Sequence, residues 1–249
     1  MNIIEIKNLY HRFSDGNQAL DNISLNVDKG EFVIIAGANG SGKTTLLRHL
    51  NALILPQKGI VSIAGISTAK DPVRARQIAG MVFQDADSQI VGETVYDDVA
   101  FGPENLKLDR SKIRKRVSDA LKAVNLTEFA DKQPFMLSGG EKRRVAIAGI
   151  LAMKSKILIF DEPFSNLDYP GVKQVLRHII LLHKSGHTII LTTHDLEKVL
   201  AHADRLVIMK SGKIVRNGAP ESVIKGVDIF GIREPYASRQ GMSLTSWLE

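Results

Sequence analysis

Short runs of consecutive apolar residues recur along this chain between longer segments that mix charged and apolar positions. Runs of this length, bounded by glycine or charged residues, are typical of strands. Strands are predicted on this basis at residues 32–36, 60–64, 79–83, 157–160 and 188–192. The first run is followed by apolar residues at helical spacing, which indicates an α/β arrangement.

Two other segments, 2–7 and 21–27, alternate apolar and polar residues. Alternation with period two is typical of strands that have one exposed face. The sequence Ser14-Asp15-Gly16-Asn17 between them is a turn signal, so we predict a small antiparallel sheet. Residues 206–209 and 213–216 flank Ser211-Gly212 and predict a further hairpin.

Residues 93–131 differ in character, because charged residues are dense there and apolar residues recur at helical spacing. We predict a mostly helical insertion that is broken at Pro103 and near Leu108-Asp109 and is ended by Pro134. An apolar-periodic helix follows the sequence of residues 137–141.

The composition limits the function classes. The chain has 249 residues, 44% of them hydrophobic, which suffices for one large or two small domains. A net charge of +6 is compatible with nucleic acid, anionic lipid or nucleotide phosphates as partners. The lack of cysteine excludes disulfides and thiolate metal sites and favours the cytoplasm. We expect neither a signal peptide in residues 1–30 nor a transmembrane helix, so a membrane role would depend on a partner.

Two features are less informative. Basic residues cluster at 110–116 and 142–144, and the first cluster is interpreted as a solvated helix face. Residues 226–249 show weak patterns and predict a short helical or irregular tail with Trp247 docked.

The strongest chemical signal follows the first strand, in the sequence Gly-Ala-Asn-Gly-Ser-Gly-Lys-Thr-Thr of residues 37–45. Its spacing is that of a phosphate-binding loop between a strand and a helix. Glycines let backbone N–H groups turn toward phosphate oxygens, and the helix N-terminus adds its positive dipole end. Lys43 can reach the β and γ phosphates, and the Thr44 hydroxyl can ligate Mg²⁺. We therefore predict a nucleoside-triphosphate site.

Polar residues at other strand ends fit the same site. Asp161 and Glu162 follow a buried strand, where Asp161 can hold Mg²⁺ and Glu162 can accept a proton from an attacking water. The alternative is a surface acidic pair. Gln84 and His194 also follow strands, and each could reach the ligand or be merely structural.

Two further segments have competing interpretations. Residues 137–141, Leu-Ser-Gly-Gly-Glu, precede a helix and could bind an anion or only cap that helix. Phe13 precedes a turn and could stack on a purine ring or belong to the edge of the core.

Taken together, these residues resemble the nucleotide-binding subunit of ABC transporters over residues 3–220. The motifs that carry the resemblance are the phosphate loop 37–45, the glutamine Gln84, the signature 137–141, the acidic strand 157–162, the loop 165–168, the histidine His194 and the aromatic Phe13. The family more often has Tyr or Trp at this aromatic position, and stacking does not need the phenol.

The resemblance implies a fold and an assembly. The expected fold is α/β, a P-loop NTPase (RecA-like) core with a parallel sheet, an antiparallel β subdomain and an inserted α-helical subdomain. The ATPase domain would span residues 1–225, with the helical subdomain at about 86–153, and 226–249 would form a short tail. Two subunits would assemble head to tail around two ATP molecules, as a homodimer or as a heterodimer with a related ATPase.

The resemblance also assigns roles residue by residue. Mg²⁺ would be held by Thr44, Gln84 and Asp161, and catalysis would involve Gln84, Glu162 and His194. The residues assigned to ATP are Phe13, Gly37, Asn39, Gly40, Ser41, Gly42, Lys43, Thr44, Thr45, Ser138, Gly139 and Gly140.

A finer resemblance lies in residues 84–95, 97–106 and 140–149, which are similar to ATPases of energy-coupling-factor importers. Ala86 departs from the Pro that is common in that group. These importers take up vitamins or nickel and cobalt ions. The resemblance implies a transmembrane coupling protein and a substrate-binding membrane protein as partners, no nucleic acid, and a peripheral place on the cytoplasmic side of the membrane.

Three alternatives accompany this interpretation. The chain could serve another ABC importer, or it could be a soluble ABC ATPase that acts on nucleic acid or ribosomes. Neither a coiled-coil insertion nor a second cassette supports the latter. A binding-only subunit with a degenerate site is disfavoured because Lys43, Asp161, Glu162 and His194 are all present.

Overall fold

The computed structural model describes residues 1–248, which form two sheets and eight α-helices. The strands are β1 (Asn2–Arg12), β2 (Gln18–Asp28), β3 (Phe32–Ala36), β4 (Lys58–Ile63), β5 (Ile66–Ser67), β6 (Ala79–Val82), β7 (Ile157–Asp161), β8 (Thr188–Thr193), β9 (Arg205–Lys210) and β10 (Lys213–Gly218). The α-helices are α1 (Lys43–Leu50), α2 (Pro72–Ile78), α3 (Val95–Asn105), α4 (Arg110–Ala123), α5 (Gly139–Ala152), α6 (Tyr169–Lys184), α7 (Pro220–Val223) and α8 (Tyr236–Arg239). Short 3-10 helices occur at Thr127–Phe129, Pro134–Met136, Leu196–Lys198, Leu200–His202 and Val227–Phe230.

The larger sheet has six strands in the order β10-β9-β3-β8-β7-β6. The five strands from β9 to β6 are parallel, and β10 pairs antiparallel with β9. All residues of β3, β7 and β8 are buried, as expected for apolar runs that are covered on both faces. Because Ala36 pairs with Thr193 and Asp161 pairs with Thr192, these three strands end at one edge of the sheet. The predicted α/β fold with a parallel-sheet core is confirmed.

The smaller sheet is antiparallel with the order β2-β1-β4-β5, as predicted for its first two strands. Both β1 and β2 are longer than the alternating segments in the sequence. A register shift between Ile6 and Leu9, where Asn8 has a φ of 47°, interrupts the alternation while the strand continues. The buried side of this sheet shares one apolar core with Leu46 and Leu50 of α1.

The segment between β6 and β7 is helical, as predicted, and contains α3, α4 and α5. The prediction that Pro103 breaks it is wrong, because Pro103 lies within the last turn of α3. Proline there removes only the hydrogen bond that residue 103 would donate to the Val99 carbonyl, and the helix ends soon after it. The break near Leu108 is confirmed. Lys107 has a φ of 53°, and Asp109 is the N-terminal residue that precedes α4.

Three helices, α2, α6 and α7, lie outside the elements predicted above, and the first two have side-chain caps. The Asp71 carboxylate accepts a hydrogen bond from Arg74 N at the start of α2. Asp168 does the same for Gly171 N at the start of α6. Such N-terminal caps followed by proline are helix signals in the sequence, and the second cap belongs to the loop 165–168.

Residues 226–248 form the short helical and irregular tail that the sequence predicts. The predicted docking of Trp247 is confirmed, since its ring lies 5.4 Å from that of Tyr169 at the start of α6. Ser246 Oγ lies 2.8 Å from His202 Nε2. Among residues 1–248, every helix is too short or too polar to span a lipid bilayer.

Candidate nucleotide site

The phosphate loop connects β3 to α1 and requires glycine at two positions. A Cβ atom on Gly37 would lie 2.4 Å from Ser41 Oγ and 2.5 Å from the Met209 carbonyl oxygen. Gly42 precedes α1 with a φ of 101°, and a Cβ there would lie 2.5 Å from the Ala19 carbonyl oxygen. Any side chain at either position would therefore displace the loop from its neighbours.

Lys43 is folded back into the loop. Its Nζ donates hydrogen bonds to the carbonyl oxygens of Gly37 at 2.8 Å and Ala38 at 3.1 Å. The side chain is buried, and this burial lowers the pKa of Lys43 against the opposing effects of Glu162 and Asp161. The ammonium group is thus held at the loop with carbonyl oxygens as acceptors, where phosphate oxygens could replace them.

Oxygen atoms that suit a hard cation lie next to the loop. Thr44 Oγ1 is 3.2 Å from Asp161 Oδ1, and the same oxygen accepts a hydrogen bond from Thr192 Oγ1 at 2.7 Å. Asp161 is only 3% exposed at the end of β7. Ser41 Oγ is also buried, without a hydrogen-bond partner among residues 1–248. A hydroxyl and a carboxylate at this spacing fit Mg²⁺, which prefers oxygen ligands and binds phosphates in NTPase sites.

Glu162 is held in an unusual backbone conformation. Its φ is 45°, which is rare for a residue other than glycine or asparagine. Its N–H bonds to the Thr192 carbonyl oxygen at 3.2 Å, and its carboxylate lies 3.0 Å from His194 Nδ1 and 3.9 Å from Lys43 Nζ. The Glu162 side chain is buried, whereas that of His194 is 58% exposed. The pair therefore lies where the site opens to solvent.

Within residues 1–248, the side chains of Gln84 and Phe13 form no hydrogen bond or ion pair with the charged groups of this region. The Gln84 side chain is exposed and has no hydrogen bond within residues 1–248, while its carbonyl oxygen accepts from Arg143 at 2.7 Å. Phe13 is 38% exposed, with its ring edge-on to His11 at 4.8 Å. The structure thus leaves both side chains free to meet a ligand.

The serine and glycines of the second loop lie apart from the first. Ser138 caps α5 and forms a reciprocal pair with Glu141, whose carboxylate accepts from Ser138 N at 2.8 Å. A Cβ on Gly139 would be 3.4 Å from Leu167. Neither contact includes residues 37–45. In the single chain, these residues act as the cap of α5. An anion bound there would not be one that is held by the phosphate loop of the same chain.

A comparison with known proteins decides the family. The family model described as ABC transporter matches residues 20–165, more than half of the chain. The chain belongs to the ABC transporter family.

The relatives extend this similarity over nearly the whole chain. The energy-coupling factor transporter ATP-binding protein EcfA of Methanocaldococcus jannaschii is 45% identical over 231 residues, 92% of this chain and 83% of that protein. The structure of CbiO1 from Clostridium perfringens, described as part of the ABC transporter complex CbiONQ, has a TM-score of 0.82 and 37% identity over 96% of this chain and 98% of that one. A dimeric ATP-binding cassette in a post-hydrolysis state, bound to ADP and Pi, has a TM-score of 0.77 and 31% identity over 87% of this chain and 98% of that one.

Two polar residues that contact the site of this ABC ATPase were not identified from the sequence. The Thr192 hydroxyl donates a hydrogen bond to the Asp161 carboxylate and accepts one from Glu162 N. Its only signal in the sequence is that it is a polar residue inside the buried run 188–192. Arg143 is 3% exposed and donates to the carbonyl oxygens of Phe83 and Gln84. Its signal is the basic cluster 142–144 in an otherwise apolar helix.

A buried pair of histidines, His49 of α1 and His11 of β1, lies where this helix meets this strand. His49 is fully buried with Nδ1 2.8 Å from the Thr45 carbonyl oxygen, and its ring lies 4.9 Å from that of His11. Burial lowers the pKa of His49 to about 4. Folding therefore keeps His49 neutral at pH values where an unfolded chain, with a pKa near 6.5, would bind a proton.

This predicts an acid-sensitive fold. Because the unfolded state binds more protons between pH 6.5 and 4, the free energy of unfolding falls as pH drops through that window. His49 alone should cost about 1.4 kcal/mol between pH 7.5 and 5.5. Urea denaturation at both pH values, on the wild type and on His49→Gln, measures this. Equal pH dependence in the two proteins would contradict the assignment.

Proposed function

We propose that this chain is the ATP-hydrolysing subunit of an ABC importer of the energy-coupling-factor type. It would power uptake of a vitamin or of a nickel or cobalt ion. The observation that supports it most is the meeting of Lys43, Thr44, Asp161, Glu162 and His194 at one edge of the parallel sheet. One relative is named as a cobalt import ATP-binding protein, which supports the importer class.

Each residue at this edge has a role in the proposed reaction. ATP phosphates bind the N–H groups of residues 37–45 and Lys43 Nζ, and Phe13 stacks on the adenine. Thr44, Asp161 and Gln84 would hold Mg²⁺, which neutralises charge on the phosphates. Glu162 accepts a proton from the attacking water. His194 holds the Glu162 carboxylate from one side and contacts the γ-phosphate.

A single copy supplies only part of this site. The neighbours of Ser138, Gly139 and Gly140 are Glu141 and the loop and helix start at residues 166–171, not the phosphate loop of the same chain. We propose that they bind the γ-phosphate held by a second subunit, in a head-to-tail dimer with two shared ATP molecules. Hydrolysis then removes the shared contact and favours separation. The dimeric relative bound to ADP and Pi supports this arrangement.

The surface that follows the glutamine Gln84 suits an apolar membrane partner. Val91 and Phe101 are 65% and 55% exposed. Asp98 accepts hydrogen bonds from Val91 N and Gly92 N, so the loop is held with its apolar side chain outward. We propose that residues 85–106 form the groove for helices of a transmembrane coupling protein, which would also bind a substrate-binding membrane protein. The chain would then sit on the cytoplasmic side of the membrane.

Aspartate at Val91 or Phe101 tests this groove. A charge in an apolar contact is unfavourable, so each variant should lose most of its co-purification with the membrane partners. Thermal unfolding and ATP binding should stay close to wild type, because both side chains are exposed. Leu181→Asp is the matched control, since Leu181 is equally exposed, at 55%, on α6.

The outcomes separate the candidates. Membrane association that persists in both groove variants would contradict the groove, while loss in Leu181→Asp as well would show a nonspecific effect. Salt-dependent binding to nucleic acid without membrane association would instead favour a soluble ABC ATPase.

A further inference from the structure

Arg143 joins two segments of the proposed site. It lies on α5 one turn beyond Gly139 and Gly140 and is 3% exposed. Its guanidinium donates to the carbonyl oxygens of Phe83 and Gln84, the latter at 2.7 Å. A planar guanidinium carries its donors in a fixed fork, so it fixes the direction of both carbonyls and not only their distance.

The same stretch of backbone is also held by Gln89. Gln89 Oε1 accepts from Phe83 N at 2.9 Å, and its Nε2 donates to the Met81 carbonyl oxygen at 3.0 Å. The main chain at residues 83 and 84 is therefore fixed, although the Gln84 side chain is exposed. Arg143 and Gln89 together therefore fix the backbone position from which the Gln84 side chain extends.

The charges around Arg143 come from both ends of the site. Three carboxylates favour its cation, those of Asp85, Asp87 and Asp161. Asp161 contacts the Thr44 hydroxyl, and Asp87 forms an ion pair with Lys142. If α5 moved without the glutamine loop, two backbone carbonyls would lose a charged donor and a buried cation would lose its acceptors. Such a separation is unfavourable, so the two segments should move together.

We propose that Arg143 is a positioning residue that couples the orientation of α5 to the location of Gln84. When ATP held by a second subunit binds Ser138 and the two glycines, α5 would shift. Arg143 would pass this shift to Gln84, and so to the proposed Mg²⁺ site of the same chain. The inference rests on the proposed function, since it concerns the same reaction.

Arg144 offers a matched control on the same helix. It is 8% exposed and donates to the carbonyl oxygens of Val124 at 2.9 Å and Asn125 at 3.2 Å. Both arginines are thus buried and bound to two backbone carbonyls. The partners of Arg144 lie at the end of α4, away from residues 83 and 84.

The experiment compares Arg143→Lys with Arg144→Lys in the full chain assembled with its membrane partners. Lysine keeps the positive charge but lacks the planar pair of N–H donors that orients both carbonyls. Arg143→Lys should therefore lower kcat about tenfold or more. The Mg²⁺ concentration for half-maximal activity should rise about threefold or more, with ATP affinity changed by less than about twofold. Arg144→Lys should lower the unfolding temperature similarly and leave kcat and the Mg²⁺ dependence near wild type.

Each result has a defined meaning. If both variants lose activity only in proportion to their stability, Arg143 is an ordinary structural arginine and the inference is overturned. If Arg143→Lys does not fold, Gln89→Ala loosens the same backbone, and an unchanged Mg²⁺ dependence there overturns the inference. A wild-type complex that does not hydrolyse ATP would overturn the proposed function as well.

Discussion

Glu162→Gln is expected to bind ATP nearly as well as the wild type and to hydrolyse it at least about 100-fold more slowly, because a positioned general base contributes this much. The amide keeps the size of the carboxylate and can still accept from His194 at the same place. It cannot accept a proton from water. With hydrolysis blocked, the ATP-bound dimer should accumulate, which size-exclusion chromatography with ATP and Mg²⁺ would reveal.

A control and a contradicting result define this test. Glu221→Gln changes an exposed carboxylate on α7 and should leave turnover and dimerisation unchanged. Rapid turnover by Glu162→Gln would refute the role given to Glu162. A protein that stays monomeric with ATP, even with its membrane partners supplied, would refute the shared site.

Lys43→Met should weaken ATP binding by about 100-fold, since it removes charge-assisted hydrogen bonds worth about 1.5–3 kcal/mol. Methionine has an unbranched apolar side chain like the stem of lysine and is one heavy atom shorter, so it fits the buried position and the fold should persist. Calorimetric titration with ATP measures the affinity. In the free protein the two loop carbonyls at Gly37 and Ala38 lose their donor, and a small drop in unfolding temperature should accompany the change.

Lys70→Met is the control for this substitution, because Lys70 is exposed and far from the loop in sequence. Its ATP affinity should equal that of the wild type. Affinity retained in Lys43→Met would mean that backbone N–H groups alone hold the phosphates. The phosphate-loop assignment would then need another source of positive charge.

Much of the nucleotide end could be predicted because its chemistry is local. The glycines at 37 and 42, Lys43 and Thr44 lie within one short segment, and the spacing of a phosphate loop has few other uses. The buried runs before Asp161 and His194 similarly predict strands, and parallel strands bring their carboxyl ends together. The structure places Thr44 within hydrogen-bond distance of Asp161. It places His194 within hydrogen-bond distance of Glu162.

The remainder depended on contacts that no single segment contains. Pro103 is a helix breaker by its local chemistry, yet the last turn of α3 accommodates it because only one hydrogen bond is lost there. In the sequence, Thr192 is only one residue of a predicted strand. Its hydrogen bonds with Asp161 and Glu162 become visible only in the structure. Arg143 is separated by about 60 residues from the carbonyls that it binds, so sequence spacing could not reveal the contact.

The left-handed φ of Glu162 has a consequence for how this protein tolerates change. A glycine there would relieve backbone strain of order 1 kcal/mol. If Glu162 has the role proposed above, selection for stability alone would favour glycine at this position, and only selection for ATP hydrolysis would preserve the glutamate. Catalytic activity and conformational stability therefore favour different residues at position 162.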